Sequence, residues 1–441
     1  MQLMNSLVLL AGLVSSGSGD IAWQIQGQLS QDAYHRLYQI RSSQLGSQLA
    51  RIDGKTGATL WEIHGQPYVG WNADCVDESR IYVLVDDRVQ AVDAEKGTVL
   101  WSEHVNQEFV QNAGYLSCFL HSDQIFLSYT LDQRAHNKLA ALRKSDGSNL
   151  WTYVSSESIN PIGADHEHVY LSGMQNAGSM LQALDQNSGR EVWLRQDQGV
   201  YFHFDAWQRL LRQGPNDISR VDVRTGEDLW WVPISGSYVY SQGLSDAIYA
   251  QSDAMVTRLD PDTGSPQWNL NFTPGQPTYL STQILTSGDV LLRESLDETN
   301  QTRFKVLQGN TGQVRWERTV NGLETFVTEA KDGHLFEQNS SALSLLDQEG
   351  QIVWNFQAPA LTGGSVPKIG SVLSGEKQLF ITLFESTGKY PPTSLAAVDW
   401  KTGAVQWVHE TDEPLSLISL DQPALIILGT MLSGRSLALY Q

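Results

Sequence analysis

Apolar and polar side chains alternate along most of this chain with a period of two, the signature of half-buried strands. Val89-Gln90-Ala91-Val92 is one such run and Thr98-Val99-Leu100-Trp101 is the next. Between them, Asp93-Ala94-Glu95-Lys96-Gly97 has the composition of a tight turn. The same strand–turn–strand unit keeps returning. A Gly-x-x-x-Trp pattern occurs at Gly57/Trp61, Gly97/Trp101, Gly147/Trp151, Gly189/Trp193, Gly226/Trp230, Gly264/Trp268, Gly312/Trp316, Gly350/Trp354 and Gly403/Trp407. Successive glycines stand 40, 50, 42, 37, 38, 48, 38 and 53 residues apart, and nine of the 14 tryptophans fill this slot. A recurrence at this spacing marks a repeat architecture.

Each repeat position has a physical reason. An Asp four residues before the Gly (Asp53, Asp93, Asp185, Asp222, Asp260, Asp399) can accept bonds from N–H groups further along the turn. The Gly takes the positive-φ corner that closes a hairpin. Arg143, Gln308 and Leu346 hold the Asp slot elsewhere, and Asp347 stands one place late, which predicts a turn one residue shorter. Each unit then has room for two further strands, as in Tyr238-Val239-Tyr240 and Ala247-Ile248-Tyr249-Ala250. Four antiparallel strands in about 40 to 50 residues make a propeller blade, running from an inner strand through two middle strands to an outer strand that carries the Trp.

The ends complement each other. The C-terminal residues 415–440 supply three strands and then stop, while Gly19-Asp20-Ile21-Ala22-Trp23 is a tenth copy of the pattern near the N-terminus. The strand around Trp23 is expected to pair with the last strand and close the final blade, leaving no open sheet edge there. The predicted fold is therefore all-β, a closed propeller of four-stranded antiparallel blades. The repeat count gives about ten, with eight the alternative, since four to eight is usual.

The run Ala91-Val92-Asp93-Ala94-Glu95-Lys96-Gly97-Thr98-Val99-Leu100-Trp101 resembles the tryptophan-docking motif of quinoprotein-like β-propellers, and residues 397–407 match it as well. The resemblance covers residues 19–441 at the level of the motif. It implies that Trp23, Trp61, Trp101, Trp151, Trp193, Trp230, Trp268, Trp316, Trp354 and Trp407 dock on neighbouring blades. It leaves the activity open, because one architecture hosts many functions. The dehydrogenase branch binds pyrroloquinoline quinone and calcium and carries a disulfide between adjacent cysteines. Here the two cysteines lie 43 residues apart, and no Asp/Glu/Asn set maps onto the calcium and base positions. The chain is nearer the non-enzymatic BamB-type scaffolds, although the lipidation Cys of that branch is missing. No cofactor is expected, with quinone and calcium as the alternative.

Composition narrows the partners. A net charge of -20, from 29 Lys and Arg against 49 Asp and Glu, argues against nucleic acid and against a polybasic grip on lipid. Residues 7–14, LVLLAGLV, followed by small residues, resemble the apolar core and exit of a secretory signal, without a basic residue in 1–6. Residues 1–19 are read as a leader and 20–441 as one propeller domain, exported to a periplasmic or extracellular compartment. No stretch reaches the ~18 apolar residues of a membrane helix, and a monomer is favoured. Cys75 and Cys118 fall at matching places on neighbouring inner strands, which favours a disulfide in an exported chain; two buried free thiols are the other reading.

Few residues carry chemistry. His166-Glu167-His168 and the pairs Asp86-Asp87 and Asp297-Glu298 read as solvated turns, and no nucleophile elbow, P-loop or HExxH occurs. The long gaps place additions at residues 130–137, at 272–278 with 295–302, and at 358–367 with 385–393. All would emerge at the end of the blades opposite the Asp-Gly turns. Repeat proteins insert on their binding face, and loops also tolerate length cheaply. Arg134, His136, Asp297, Glu298, Lys389 and Tyr390 are the candidate binding-face residues. The expected function is a non-enzymatic scaffold that binds envelope proteins. The alternatives are a quinone-dependent oxidoreductase and an extracellular glycan-binding propeller.

Overall fold

A computed structural model describes residues 21–26, 28–43, 46–65, 69–104, 117–130, 137–155, 157–175, 178–205, 207–234, 238–240, 246–252, 254–272, 279–329, 333–359, 367–375, 378–384, 393–411, 415–422, 425–430 and 435–440. Among them the strands form ten four-stranded antiparallel sheets. Blades 1 to 5 span residues 28–65, 69–104, 117–155, 158–197 and 201–233. Blades 6 to 9 span 238–271, 279–321, 326–357 and 368–411. In these nine, strand order follows chain order. Blade 10 consists of Leu415–Gln422, Leu425–Thr430 and Arg435–Tyr440, with Ile21–Gln26 as its fourth strand. That N-terminal strand runs antiparallel to the last one, with Ile21 opposite Leu439 and Gln26 opposite Arg435.

Two compact units are present, the described residues of 1–110, 338–345 and 354–441 in one and those of 111–337 and 346–353 in the other. Within each, the core lies between consecutive sheets. In the first unit, Tyr38, Leu49, Trp61 and Ile63 of blade 1 meet Val76, Ile81, Val83 and Val92 of blade 2. In the second, Phe126, Leu139 and Trp151 of blade 3 meet Ile159, Val169, Leu171 and Leu184 of blade 4. The same layer recurs between blades 4 and 5, 5 and 6, and 6 and 7.

This arrangement explains the sequence pattern. A middle strand has a sheet against both of its faces, so Arg80–Val85 is buried from Ile81 to its end. An outer strand has one covered face. Thr59–Gly65 therefore alternates, with Trp61, Ile63 and Gly65 buried and their neighbours exposed.

Turn chemistry follows the expected design. Asp93 Oδ1 accepts from the N–H groups of Glu95 and Lys96 at 3.0 and 2.8 Å, and Gly97 N–H donates to the Asp93 carbonyl at 2.9 Å. Asp260 and Asp399 repeat the arrangement. In the turn with the displaced Asp, Gly350 N–H reaches the Asp347 carbonyl only three residues back, so that turn is the shorter one.

One expectation changes. The addition at residues 295–302 is part strand and part turn: Val290–Leu296 and Gln301–Leu307 pair along their full length, from Val290 opposite Leu307 to Leu296 opposite Gln301. Only the 3-10 turn Asp297–Thr299 and Asn300, whose φ is 51°, connect them. Residues 130–137 and 358–367 lie partly outside the described residues, and 272–278 and 385–393 almost wholly so. The leader at 1–19 lies outside them altogether. Both cysteines are disulfide-bonded, and no free cysteine remains. Among the described residues no helix is long and apolar enough to cross a membrane.

The N-terminal strand supplies the outer edge of blade 10, so its removal bares the ladder of Arg435–Tyr440. A chain lacking residues 1–26 is expected to aggregate or to lose a single cooperative unfolding transition. Size-exclusion chromatography and urea unfolding check this, and a truncated monomer of unchanged midpoint would contradict it.

Candidate functional site

The repeat Trp meets the Gly of the next repeat, not the Gly of its own. A Cβ placed on Gly189 would stand 2.5 Å from Cε3 of Trp151, and on Gly350 it would stand 2.6 Å from Cδ2 of Trp316. The same overlap arises at Gly97 with Trp61, Gly226 with Trp193, Gly264 with Trp230, Gly312 with Trp268 and Gly403 with Trp354. These glycines have φ between 67° and 75°, so both the backbone and the neighbouring indole forbid a side chain.

The indole N–H reaches the carbonyl of the residue that follows the Asp slot. Trp61 donates to Ala94 at 3.1 Å, Trp151 to Gln186 at 2.7 Å, Trp193 to Val223 at 3.1 Å, Trp230 to Pro261 at 2.9 Å, Trp268 to Gly309 at 2.9 Å and Trp354 to Trp400 at 3.0 Å. Trp316 faces the shortened Asp347 turn and makes no such bond among the described residues.

The third-strand residue opposite the indole differs between blades, being Val306 opposite Trp316 and Ala or Arg at seven others. Ala91, Ala141, Ala183 and Ala397 stand opposite Trp101, Trp151, Trp193 and Trp407. Over each small Ala an aromatic from the second strand reaches the indole. Tyr82, Phe126, Tyr170 and Phe380 sit 6.0, 5.9, 6.2 and 6.2 Å from it, centroid to centroid. Elsewhere an Arg stands opposite the Trp and crosses to the same carbonyl as the indole. Arg51 donates to Ala94 at 2.6 Å, Arg220 to Pro261 at 3.0 Å and Arg258 to Gly309 at 2.7 Å.

Two further clamps join blades at the inner hairpin. Asp32-Ala-Tyr-His-Arg36 and Asp205-Ala-Trp-Gln-Arg209 are copies of one device. Asp32 accepts from Tyr34 N–H, Arg36 N–H and Arg36 Nε, the last at 2.6 Å, and the guanidinium donates to the Glu78 and Asp77 carbonyls of blade 2. Asp205 and Arg209 repeat these bonds, and Arg209 Nη1 meets the Asp246 carboxylate of blade 6 at 2.8 Å. Both Asp side chains are fully buried, a position a carboxylate tolerates only when bonded and paired. Sequence reading missed the device because it occurs twice in ten blades; the shared Asp-Ala-aromatic-x-Arg string was the available signal.

Of the candidate binding-face residues, Asp297 and Glu298 lie on the exposed 3-10 turn of blade 7. Arg134, His136, Lys389 and Tyr390 lie outside the described residues. The two close histidines diverge. His166 is exposed, whereas His168 is buried, with Nδ1 3.3 Å from the Tyr170 hydroxyl. Asp87 pairs with His104 at 3.2 Å. Among the described residues no group of three or more His, Cys, Asp or Glu is arranged to hold a metal ion.

A second unread signal lies at the first residue of successive inner strands, where blades 5, 6, 7 and 8 have Tyr201, Tyr238, Tyr279 and Phe326. Tyr201, Tyr279 and Phe326 are 74%, 56% and 50% exposed, so the fold does not need them as core.

Residues 45–196 and 176–342 match the family model described as outer membrane protein assembly factor BamB. The chain belongs to this family. Similar solved structures include BamB from Moraxella catarrhalis, 14% identical over 82% of this chain and 96% of that one, with a TM-score of 0.36. Kluyveromyces lactis Hsv2 is 11% identical over 78% of this chain and 97% of that one, with a TM-score of 0.33. Dihydro-heme d1 dehydrogenase NirN in complex with DHE is 11% identical over 88% of this chain and 78% of that one, with a TM-score of 0.39. No curated protein sequence matches the chain.

The acids of this BamB-family chain titrate as turn caps and staples. Bonds from the Lys96 N–H, the Thr263 N–H and the Thr402 hydroxyl are the leading causes that hold Asp93, Asp260 and Asp399 below the usual carboxylate range. At Asp228 burial pushes upward, but the Arg195 guanidinium and the Ser219 hydroxyl outweigh it and the pKa is lowered. Arg195 grips that carboxylate with two bonds, at 2.8 and 3.1 Å, from blade 4 to blade 5. Burial also raises the Tyr38, Tyr82 and Tyr170 hydroxyls above the ordinary phenol value.

A carboxylate with a lowered folded pKa contributes stability that is present above the unfolded value of 3.8 and lost as pH falls through the folded value. Urea midpoints are therefore expected to hold from pH 7 to 5 and to fall below about pH 4. Combining Asp93→Asn, Asp260→Asn and Asp399→Asn should flatten that fall. The seam gives a second expectation. Trp151→Ala removes a buried indole and should cost about 3–5 kcal/mol. Trp400→Ala keeps the carbonyl that Trp354 uses and should cost well under half as much. Denaturation midpoints ranked in the opposite order would contradict the assignment.

Proposed function

We propose that this chain is an exported, non-enzymatic scaffold that binds protein partners in the cell envelope, with residues 1–19 as its leader. The observation that carries the reading is the match of residues 45–342 to the outer membrane assembly factor family. The seam supports it. At seven described junctions the repeat Trp lies on the turn Gly of the next blade, so on this view the repeated residues serve rigidity. In this reading the chain works as a monomer without quinone or calcium, and it recognises partners at the blade ends opposite the Asp-Gly turns. Asp297 and Glu298 stand there, with Arg134, His136, Lys389 and Tyr390 assigned to the same face.

The test is fractionation of the tagged full chain in its native host, followed by crosslinking in intact cells. An envelope location and a reproducible crosslinked envelope protein are expected; a cytoplasmic chain would overturn the reading. Purified protein mixed with pyrroloquinoline quinone and calcium should keep its absorbance unchanged. A stoichiometric bound-quinone spectrum would favour the oxidoreductase instead.

A further inference from the structure

Arg293 lies on the second strand of blade 7 and points toward blade 8. Its guanidinium sits 5.8 Å from the Tyr279 ring centroid and 4.5 Å from that of Phe326. Nε donates to the Thr325 carbonyl at 2.8 Å and Nη2 to the Leu323 carbonyl. These bonds use two of its five N–H groups. Among the described residues no carboxylate lies within ion-pair distance of it, and its neighbours are the two rings and two backbone carbonyls. This contrasts with Arg195, Arg212, Arg220, Arg303 and Arg318, each of which has an acidic partner.

A clamp role accounts for the two carbonyl bonds but not for the rings. Stacking a cation on an exposed aromatic contributes only about 0.5–1 kcal/mol. Two rings left half in water beside an unpaired cation are instead the composition of an interface anchor, where Tyr and Arg are enriched and bulky rings are immobilised at low entropic cost.

We propose that Tyr279, Arg293 and Phe326 form a subsite for an extended polypeptide of the pattern apolar-x-acid-x-apolar, whose central carboxylate binds the free edge of the guanidinium. The chemistry argues for a peptide: a guanidinium without a carboxylate partner complements an acidic side chain, and the half-exposed rings beside it complement apolar ones. The proposal rests on the protein-binding reading and names the chemistry of the segment bound.

The experiment uses the purified full chain and a fluorescein-labelled, amidated peptide, Phe-Asn-Glu-Asn-Phe, with a Gln-for-Glu control, read by anisotropy. The Glu peptide should bind at least about tenfold tighter than the Gln peptide, as a charge-assisted pair demands. Arg293→Lys, Tyr279→Ala and Phe326→Ala should each weaken it severalfold, while Trp207→Ala, at the other end of the blades, should not. Equal binding of the two peptides, no binding at millimolar concentration, or displacement by glucuronic acid with no Glu preference would overturn the proposal. If Arg293→Lys unfolds, the Glu/Gln comparison on the unaltered chain and Phe326→Ala still decide. This measurement does not depend on export or on an envelope partner, so its failure and that of the scaffold reading are distinguishable.

Discussion

The contact on which the rest depends is the indole laid on the turn glycine of the following blade, present at seven described junctions. Burying 150–250 Å² of aromatic surface at about 25 cal/mol/Å² gives roughly 4–6 kcal/mol, whereas the N–H···O bond that accompanies it adds about 1 kcal/mol. Burial is therefore the larger effect and the bond sets the orientation. Trp316 makes the point, since it lacks the bond yet meets Gly350 as closely as the others meet their glycines. Every other invariant of the repeat serves this contact. The Gly removes a side chain, the Asp caps hold the turn still, and the residue after the Asp presents its carbonyl.

With the indole fixed, the volume beside it admits different fillings. Opposite the Trp the third strand mostly places either a small Ala or an Arg that crosses to the next blade's carbonyl, and a second-strand aromatic can reach the indole beside either one, as Tyr38 and Tyr249 do in blades with Arg. The fillings are local, so blades differ without disturbing their neighbours, as expected where each unit touches only the adjacent ones. The exposed apolar residue just before the Trp has the same origin. Strand alternation sends Leu60, Leu100, Val192, Leu229 and Val353 outward because the Trp must point inward.

The fold was legible because the repeat writes one contact many times, and period-two strands with Asp-Gly turns leave little else to infer. Trp23 near the N-terminus even located the missing strand of blade 10. What escaped was relational. Docking of each Trp on a neighbouring blade was implied by the resemblance, but the receiving residue was not: the sequence pairs Trp61 with Gly57, while space pairs it with Gly97. The buried Asp32–Arg36 and Asp205–Arg209 clamps occur in two blades, too few to stand out as a repeat. The length added in blade 7 was inferred from the repeat spacing alone, which does not say that part of it extends two paired strands; next to it, Arg303 is held by the fully buried Glu294, which also pairs with Lys305. The proposed binding-face residues were chosen from length alone, and most fall outside the described residues.

The two ends of the blades are under different constraints, and this bears on where recognition evolves. At the Asp-Gly end, carbonyls, carboxylates and guanidiniums are committed to one another across the junctions, so a substitution there costs stability before it alters binding. At the other end, Tyr201, Tyr279 and Phe326 open their inner strands with rings that the core does not cover. Their replacement leaves the indole seam intact. Stability is thus concentrated in one repeated contact at one end of the blades, and at the other end the Tyr279 and Phe326 rings pack against the side chain of Arg293 at the surface.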